Sequence, residues 1–153
     1  MLDFLGLKFN KNKDLKPLII SILGSYLCIF LVILIKSLLV GDTINDIYEL
    51  AKGLSIFSTI FYGCFCLFQE VLFRGILQRK LSKKFNNIIS IIITTILFLI
   101  CHFNYDIVTV IGAFFISIIA GIMTIKDDNI YKAFFFHWIV GGIGYVFITL
   151  AFI

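Results

Sequence analysis

The chain has 153 residues, of which 61% are hydrophobic and 14% are charged, and its formal net charge is +4 at pH 7. Its mean hydropathy of +1.09 exceeds what the volume-limited core of a soluble domain of this length requires, which excludes an ordinary soluble fold and favours a membrane protein. The positive charge flanks apolar segments, so it needs no nucleic-acid partner, and we expect none.

Five apolar segments predict transmembrane helices, and none alternates as the strands of a membrane barrel do. In chain order they are Leu18–Ile35, Gly53–Gln69, Phe85–Tyr105, Ile107–Ile125 and Ala133–Ile153. Four of them carry no Asp, Glu, Lys or Arg over roughly the 20 residues that a helix needs to cross a bilayer. The second is free of these residues until Glu70. We therefore predict an all-α fold, a polytopic membrane helical bundle of about five transmembrane helices, with the lipid bilayer as its environment.

The distribution of basic residues predicts the orientation of this bundle. Lysines and arginines cluster before the first segment, after the second and after the fourth, whereas the two intervening loops are mainly acidic. The positive-inside rule then predicts a cytoplasmic N-terminus. We expect one membrane domain over residues 1–153, with residues 1–16 as a cytoplasmic N-terminal segment. The many Ile, Lys, Phe and Asn residues indicate an AT-rich bacterial genome, so we expect a bacterial cell membrane.

The four cysteines all lie within predicted spans. They are Cys28, Cys64, Cys66 and Cys101. Cys64 and Cys66 are two residues apart and so point to different sides of a helix. We interpret the cysteines as small, lipid-compatible side chains, and not as a disulfide or a metal site.

Ionisable residues within the predicted spans mark the candidate site, because such groups usually face a protein interior or a water-filled cavity. Glu70 and Arg74 are four residues apart on one helical face, so they can form a neutral pair that only holds helices together. His102 and His137, on two other helices, add imidazoles to this carboxylate. The combination can activate water or bind a metal such as zinc. A straight-helix estimate at ~1.5 Å per residue spreads these groups over on the order of 15 Å in depth, so convergence requires tilted or broken helices.

Three short motifs resemble those of the CPBP intramembrane protease family. These proteins are relatives of the CAAX prenyl endopeptidase and include bacteriocin-processing and bacteriocin-immunity proteins. The family's motifs run Glu-Glu-x-x-x-Arg, Phe-x-x-x-His and His-x-x-x-Asn or Asp, and the chain carries "QEVLFRG", "FLICH" and "HWIVG" in that order. The resemblance covers residues 53–144. The matching positions are Glu70, Arg74, Phe98, His102 and His137.

The resemblance implies roles for these residues. Glu70, His102 and His137 would be catalytic, and the same three would be the ligands if a metal such as zinc is bound. Arg74 would hold Glu70, and Phe98 would support the site.

The chain departs from the family motifs at Gln69 and Gly141, which replace the first Glu and the Asn. The resemblance implies that the first Glu helps to activate water and that the Asn, together with a His, stabilises an oxyanion. Glutamine is not a useful base, and glycine has no side-chain donor. Glu70 could act as the base instead, and the backbone N–H of Gly141 could replace the Asn if the helix is unwound there.

Three interpretations of function follow. The first is an intramembrane endopeptidase that cleaves a peptide or a membrane-anchored protein with Glu/His-activated water. The second is a catalytically impaired relative that acts as a peptide-binding scaffold or in bacteriocin self-immunity. The third is a multi-pass structural or transport-accessory protein. The motifs predict that Gln69→Glu raises cleavage and that His102→Ala abolishes it.

Overall fold

The fold was analysed in a computed structural model that describes residues 15–40, 56–105 and 107–143. These residues form helices and turns, with no strand in the described ranges, which confirms the all-α class. Within these described ranges the chain forms five helical rods. They are α1, Lys16–Val40; α2, which runs through Ile56–Glu70, Val71–Gln78 and Arg79–Lys84; α3, Asn87–Ile100; α4, Ile107–Asp127; and α5, which runs through Tyr131–Phe136 and His137–Ile143.

Local sequence signals account for several helix ends. Pro17 lies in the first turn of α1, where its missing N–H removes no helical hydrogen bond. The side chain of Asn86 caps α3 by accepting a hydrogen bond from the backbone N–H of Ile89 at 2.8 Å. After α4, Asp128 adopts a φ of 53°, a left-handed conformation that ends the helix. The side chain of Asn129 then accepts from the N–H of Tyr131 at 3.2 Å as α5 begins.

Two of the rods change from α-helical to π-helical geometry. The π segments are Val71–Gln78 in α2 and His137–Ile143 in α5. Each begins at or directly after an ionisable residue, Glu70 in α2 and His137 in α5. The wider i→i+5 turns are rare, and they re-aim the side chains that follow. These breaks are of the kind that the straight-helix estimate required.

The lengths of the rods agree only in part with the predicted spans. Residues 60–84 and 107–127 form two helices long and apolar enough to cross a bilayer, and 33% of an apolar 18-residue stretch in each is buried within the protein. Helix α3 has 14 residues, which at ~1.5 Å per residue span about 21 Å and fall short of the ~30 Å hydrocarbon core. Its predicted span continued to Tyr105, but the helix ends at Ile100, so His102 lies in the following turn. Residues 144–153 of the last predicted span lie outside the described residues.

Side-chain burial reverses the pattern of a soluble protein. Polar residues fill much of the interior, while large apolar residues face outward. The exposed fractions of Phe61, Ile88 and Ile107, for example, are 70%, 69% and 70%. The buried polar side chains include Arg74, Gln78, Ser90, Thr94 and Ser117. Two smaller apolar clusters complete the core. One contains Leu18, Met123, Phe136 and Val140, and the other contains Phe73, Phe98 and Ala113. A polar interior inside an apolar surface is typical of a protein that lies in lipid.

Contacts between α1, α2 and α5 frame the side of the bundle that contains the site. The hydroxyl of Tyr26 on α1 donates to the backbone carbonyl of Ile139 on α5 at 2.9 Å. Helices α2 and α5 interlock through glycines. A Cβ atom on Gly63 would lie 2.7 Å from the Trp138 ring, and one on Gly142 would lie 2.9 Å from the Tyr62 ring. Each aromatic ring therefore packs directly on the backbone of the opposite helix.

A pair of contacts at one end of the bundle closes the turn between α4 and α5. Arg79 contacts Asp128 twice, with one guanidinium nitrogen 2.8 Å from the carboxylate and another 2.6 Å from the backbone carbonyl. Lys132 forms an ion pair with Asp127 at 2.9 Å. The start of α5, and with it His137, is thereby fixed relative to α2 and α4.

Candidate active site

Glu70 and His137, far apart in the sequence, form a buried pair. Glu70 is the last residue of the α-helical part of α2, and His137 begins the π segment of α5. The Nδ1–H of His137 donates to Oε1 of Glu70 at 2.8 Å, and the two residues are 3% and 1% exposed. Because a carboxylate only accepts hydrogen bonds, this contact places the Nδ1 proton on His137 and leaves Nε2 as its second ring nitrogen.

Arg74 lies on the other side of Glu70 and joins three helices. Its side chain is fully buried, and its guanidinium donates to Gln78 on α2 at 3.1 Å, to Thr94 on α3 at 3.1 Å and to Ser117 on α4 at 2.7 Å. Ser117 in turn donates to Thr95 at 3.0 Å. A buried guanidinium with this many acceptors is held in a single position.

The charge of Arg74 offsets that of Glu70. Nε of Arg74 lies 3.5 Å from Oε2 of Glu70, and within the described residues neither atom has a hydrogen-bond partner. An uncompensated carboxylate would be strongly disfavoured at this depth, so the guanidinium offsets the cost of burying Glu70 beside His137. The expectation that these two residues pair is met by the geometry.

His102 reaches the same region from the turn after α3. Its Nδ1–H donates to the backbone carbonyl of Phe98 at 2.8 Å, and its ring lies against the Phe98 ring with centroids 4.4 Å apart. Phe98 also packs edge-to-face on His137, with centroids 5.6 Å apart. One phenyl ring therefore separates and supports both imidazoles, and both have Nδ1 bound to a group that only accepts hydrogen bonds.

Both histidines line a cavity of about 560 Å³ to which all five rods contribute. Its walls are mainly apolar, and Phe98 and Gly141 lie beside the two imidazoles. Glu70 and Arg74 do not line it, because they lie behind His137. The arrangement therefore presents imidazoles to the cavity and keeps the carboxylate and guanidinium buried as their support.

The two departures from the family motifs occupy different places. Gln69 is 9% exposed and does not line the cavity. Gly141 lines it beside His137. A Cβ atom at position 141 would lie 2.7 Å from the hydroxyl oxygen of Tyr62 and 3.0 Å from Cδ2 of His137. The space that a side chain at position 141 would need is therefore already filled.

The three candidate ligands do not form a zinc site. Among the described residues no group of three or more His, Cys, Asp or Glu side chains is arranged to hold a metal ion. Oε1 of Glu70 is bound to His137, and Oε2 faces Arg74. With both carboxylate oxygens facing these partners, Glu70 has none directed at a shared position with the two imidazoles.

Several residues at the site were missed by the sequence analysis. Cys66 is fully buried, and its thiol interacts with Tyr62 and His137. Gln78, Thr94 and Ser117 surround Arg74. A signal for part of this set was present, because five polar or aromatic residues follow one another at intervals of four: Tyr62, Cys66, Glu70, Arg74 and Gln78.

These five residues form a stripe along α2, and its direction depends on the π segment of that helix. In an α-helix four residues overshoot one turn by ~40°, so a stripe at this interval drifts around the helix. A π-helix has more than four residues per turn, so the same interval falls short and the drift reverses. The change of geometry after Glu70 therefore keeps Arg74 and Gln78 directed into the bundle.

Comparisons with known proteins agree with the motifs. A family model described as type II CAAX prenyl endopeptidase Rce1-like matches residues 51–143, which contain every candidate residue named above. No curated protein and no solved structure matched the chain. The match spans more than half of the sequence and confirms the family resemblance drawn from the three motifs. The chain therefore belongs to the Rce1-like family of type II CAAX prenyl endopeptidases.

Proposed function

We propose that the protein is an intramembrane endopeptidase that hydrolyses a peptide bond with a water molecule activated by His137. The observation that carries this proposal is the position of His137 between the buried carboxylate of Glu70 and the cavity. A histidine oriented by a carboxylate through Nδ1 and facing a substrate through Nε2 is a recurrent general base.

In the first step, neutral His137 accepts a proton at Nε2 from a water molecule in the cavity. The water oxygen attacks the peptide carbonyl carbon, and the carbonyl π electrons move to the oxygen, which becomes an oxyanion. Glu70 stabilises the imidazolium through the contact at Nδ1. The lone pair on Nε2 of His102 accepts the second hydrogen of the same water and so directs its oxygen.

In the second step, the proton held by Nε2 of His137 passes to the peptide nitrogen. The C–N bond breaks, the oxyanion returns to a carbonyl, and a carboxylic acid and an amine are released. Arg74 takes no part in these transfers. It offsets the charge of the Glu70 carboxylate and holds it in position through the oxygen that does not face His137.

The shape of the cavity supports an apolar, membrane-anchored substrate. Its volume of about 560 Å³ is within the range of sites that enclose small ligands or a few side chains. Its walls are mainly apolar, and both histidines line it. We infer that an apolar stretch of a peptide or membrane protein occupies the cavity with the bond to be cleaved against His102 and His137.

We also place all five rods in the bilayer of a bacterial cell, with a cytoplasmic N-terminus. The apolar outer surface and polar interior support this placement. The basic residues Arg79, Lys80, Lys83 and Lys84 at the end of α2 support a cytoplasmic position for that end. The short α3 then reaches only part of the way across, and His102 lies within the membrane.

The test uses the full chain in liposomes with quenched fluorogenic peptides, with and without a prenylated C-terminal CAAX sequence. We expect cleavage by the unchanged chain, and a loss of ~10²–10⁴ in kcat for His137→Gln, as is typical when a general base is removed. Binding of the peptide is measured in parallel. Binding without cleavage by the unchanged chain would overturn the proposal and favour the scaffold or immunity interpretation.

A further inference from the structure

The hydrolysis proposed above needs a hydrogen-bond donor to the oxyanion in addition to the two histidines. The Nδ1–H of His102 donates to the Phe98 carbonyl, and the Nδ1–H of His137 donates to the Glu70 carboxylate. In the neutral rings Nε2 is therefore an acceptor. Such a pair can receive and direct a water molecule. Once the water proton is on Nε2 of His137, that N–H is required for the peptide nitrogen, so the oxyanion needs a separate donor.

Tyr62 places a hydroxyl group beside these imidazoles. It lines the same cavity as His102, His137 and Gly141, and its ring is edge-on to His137, with centroids 6.5 Å apart and an interplanar angle of 86°. Tyr62 lies on α2, about two turns before Glu70. Its hydroxyl is a polar group within a mainly apolar wall.

The glycines of α5 hold the Tyr62 ring at this position. The Tyr62 hydroxyl oxygen lies 2.7 Å from where a Cβ at position 141 would be, and the ring carbon Cδ1 lies 2.9 Å from a Cβ at position 142. Any side chain at either position would displace the ring. The phenol therefore occupies the space that a side chain at position 141 would take, next to His137, which gives a physical reason for glycine there.

We propose that the hydroxyl of Tyr62 donates a hydrogen bond to the oxyanion during peptide hydrolysis and is a further catalytic residue of this protein. The proposal rests on the proposed function. A neutral phenol suits this role, because it donates in an apolar cavity without requiring a second buried charge. Cys66 is buried four residues after Tyr62 on the same face of α2, where its thiol can donate to the phenol oxygen and leave the phenol proton free for the substrate.

The test compares Tyr62→Phe with Tyr26→Phe in the full chain in liposomes. Both variants remove one phenol hydroxyl, but that of Tyr26 bonds to a backbone carbonyl of α5 and does not line the cavity. We expect Tyr62→Phe to lower kcat by ~10²–10³ with KM little changed, as for the loss of one oxyanion donor. Tyr26→Phe should retain the kcat of the unchanged chain.

A second measurement separates catalysis from packing. A phosphonamidate version of the cleaved peptide carries a tetrahedral, negatively charged group in place of the scissile carbonyl. Tyr62→Phe should weaken inhibition by this analogue by about the same factor as kcat, because both report binding of the oxyanion. A kcat for Tyr62→Phe within about twofold of the unchanged chain, or a loss confined to KM, would overturn the role of Tyr62 alone. Absence of cleavage by the unchanged chain would overturn the proposed hydrolysis and this role together.

Discussion

The imidazole of His137 is bonded through Nδ1 to the carboxylate of Glu70 at 2.8 Å, across 67 residues of sequence. This contact determines which of the two residues faces the cavity. From the sequence we expected Glu70 to face the water directly. The structure places Glu70 behind His137, with 1% of its surface exposed. The imidazole, and not the carboxylate, therefore faces the cavity.

Shortening the carboxylate tests this arrangement. Glu70→Asp keeps the negative charge near Arg74 but withdraws it from His137 by about one methylene. Because a displacement of ~1 Å in a catalytic group can lower a rate ~10²-fold, we expect a loss of that order in kcat. Single-turnover cleavage measures it. Equal rates for Glu70→Asp and the unchanged chain would mean that the contact with His137 does not assist the reaction.

Removing the charge altogether should affect stability as well. Glu70→Gln leaves the fully buried guanidinium of Arg74 without a counter-charge. Breaking one half of a buried ion pair typically costs ~3–5 kcal/mol in the free energy of unfolding. Denaturant unfolding in detergent micelles would measure it. A stability equal to that of the unchanged chain would show that Arg74 does not depend on Glu70.

The hydroxyl of Ser117 is expected to contribute through Arg74. Ser117→Ala removes the 2.7 Å acceptor of one guanidinium nitrogen, and an unsatisfied buried donor costs ~1–3 kcal/mol. Thr124→Val is the matched control on α4, since the buried hydroxyl of Thr124 donates to the carbonyl of Ala120 on its own helix and, among the described residues, to no other group. Thermal unfolding of both variants should show the larger loss for Ser117→Ala. A larger loss for Thr124→Val would contradict the claim that Ser117 stabilises the fold through Arg74.

The interlock between α2 and α5 predicts different effects for two glycines. Gly63→Ala would place a Cβ 2.7 Å from the Trp138 ring, whereas a Cβ on Gly24 meets nothing within 4 Å. We expect Gly63→Ala to lower the free energy of unfolding by ~1–3 kcal/mol through overpacking. Gly24→Ala should raise it by ~0.5–1 kcal/mol, because alanine favours a helix. Tolerance of alanine at position 63 would mean that α2 and α5 are not in direct contact there.

For Gln69→Glu the structure leads to a different expectation from the motifs. The family pattern predicted a gain in cleavage. Gln69, however, is buried and does not line the cavity, and a second carboxylate beside Glu70 would be a buried like charge. We expect no gain in kcat and a loss of stability. A gain in cleavage rate would restore position 69 as the place of the base.

The helices could be predicted from the sequence, but the way in which they bring the site residues together could not. Apolar runs predicted five helices, and the interval between Glu70 and Arg74 predicted their pairing. The motifs placed His102 and His137 at one site by resemblance alone. No pattern indicated the π segments or the early end of α3 at Ile100, because these depend on contacts between helices. The hydrogen-bond partners of Arg74 could not be predicted either, because a serine or threonine in an apolar helix usually bonds to the backbone of its own helix.

The most direct test of the account is the cleavage rate of His102→Gln. His102 faces the cavity but belongs neither to the buried ion pair nor to the Arg74 network, so its replacement should leave the fold intact. With the fluorogenic peptide in liposomes, we predict a loss of at least ~10² in kcat and unchanged peptide binding. A rate equal to that of the unchanged chain, in a folded variant, would contradict the claim that both imidazoles act on a substrate in this cavity.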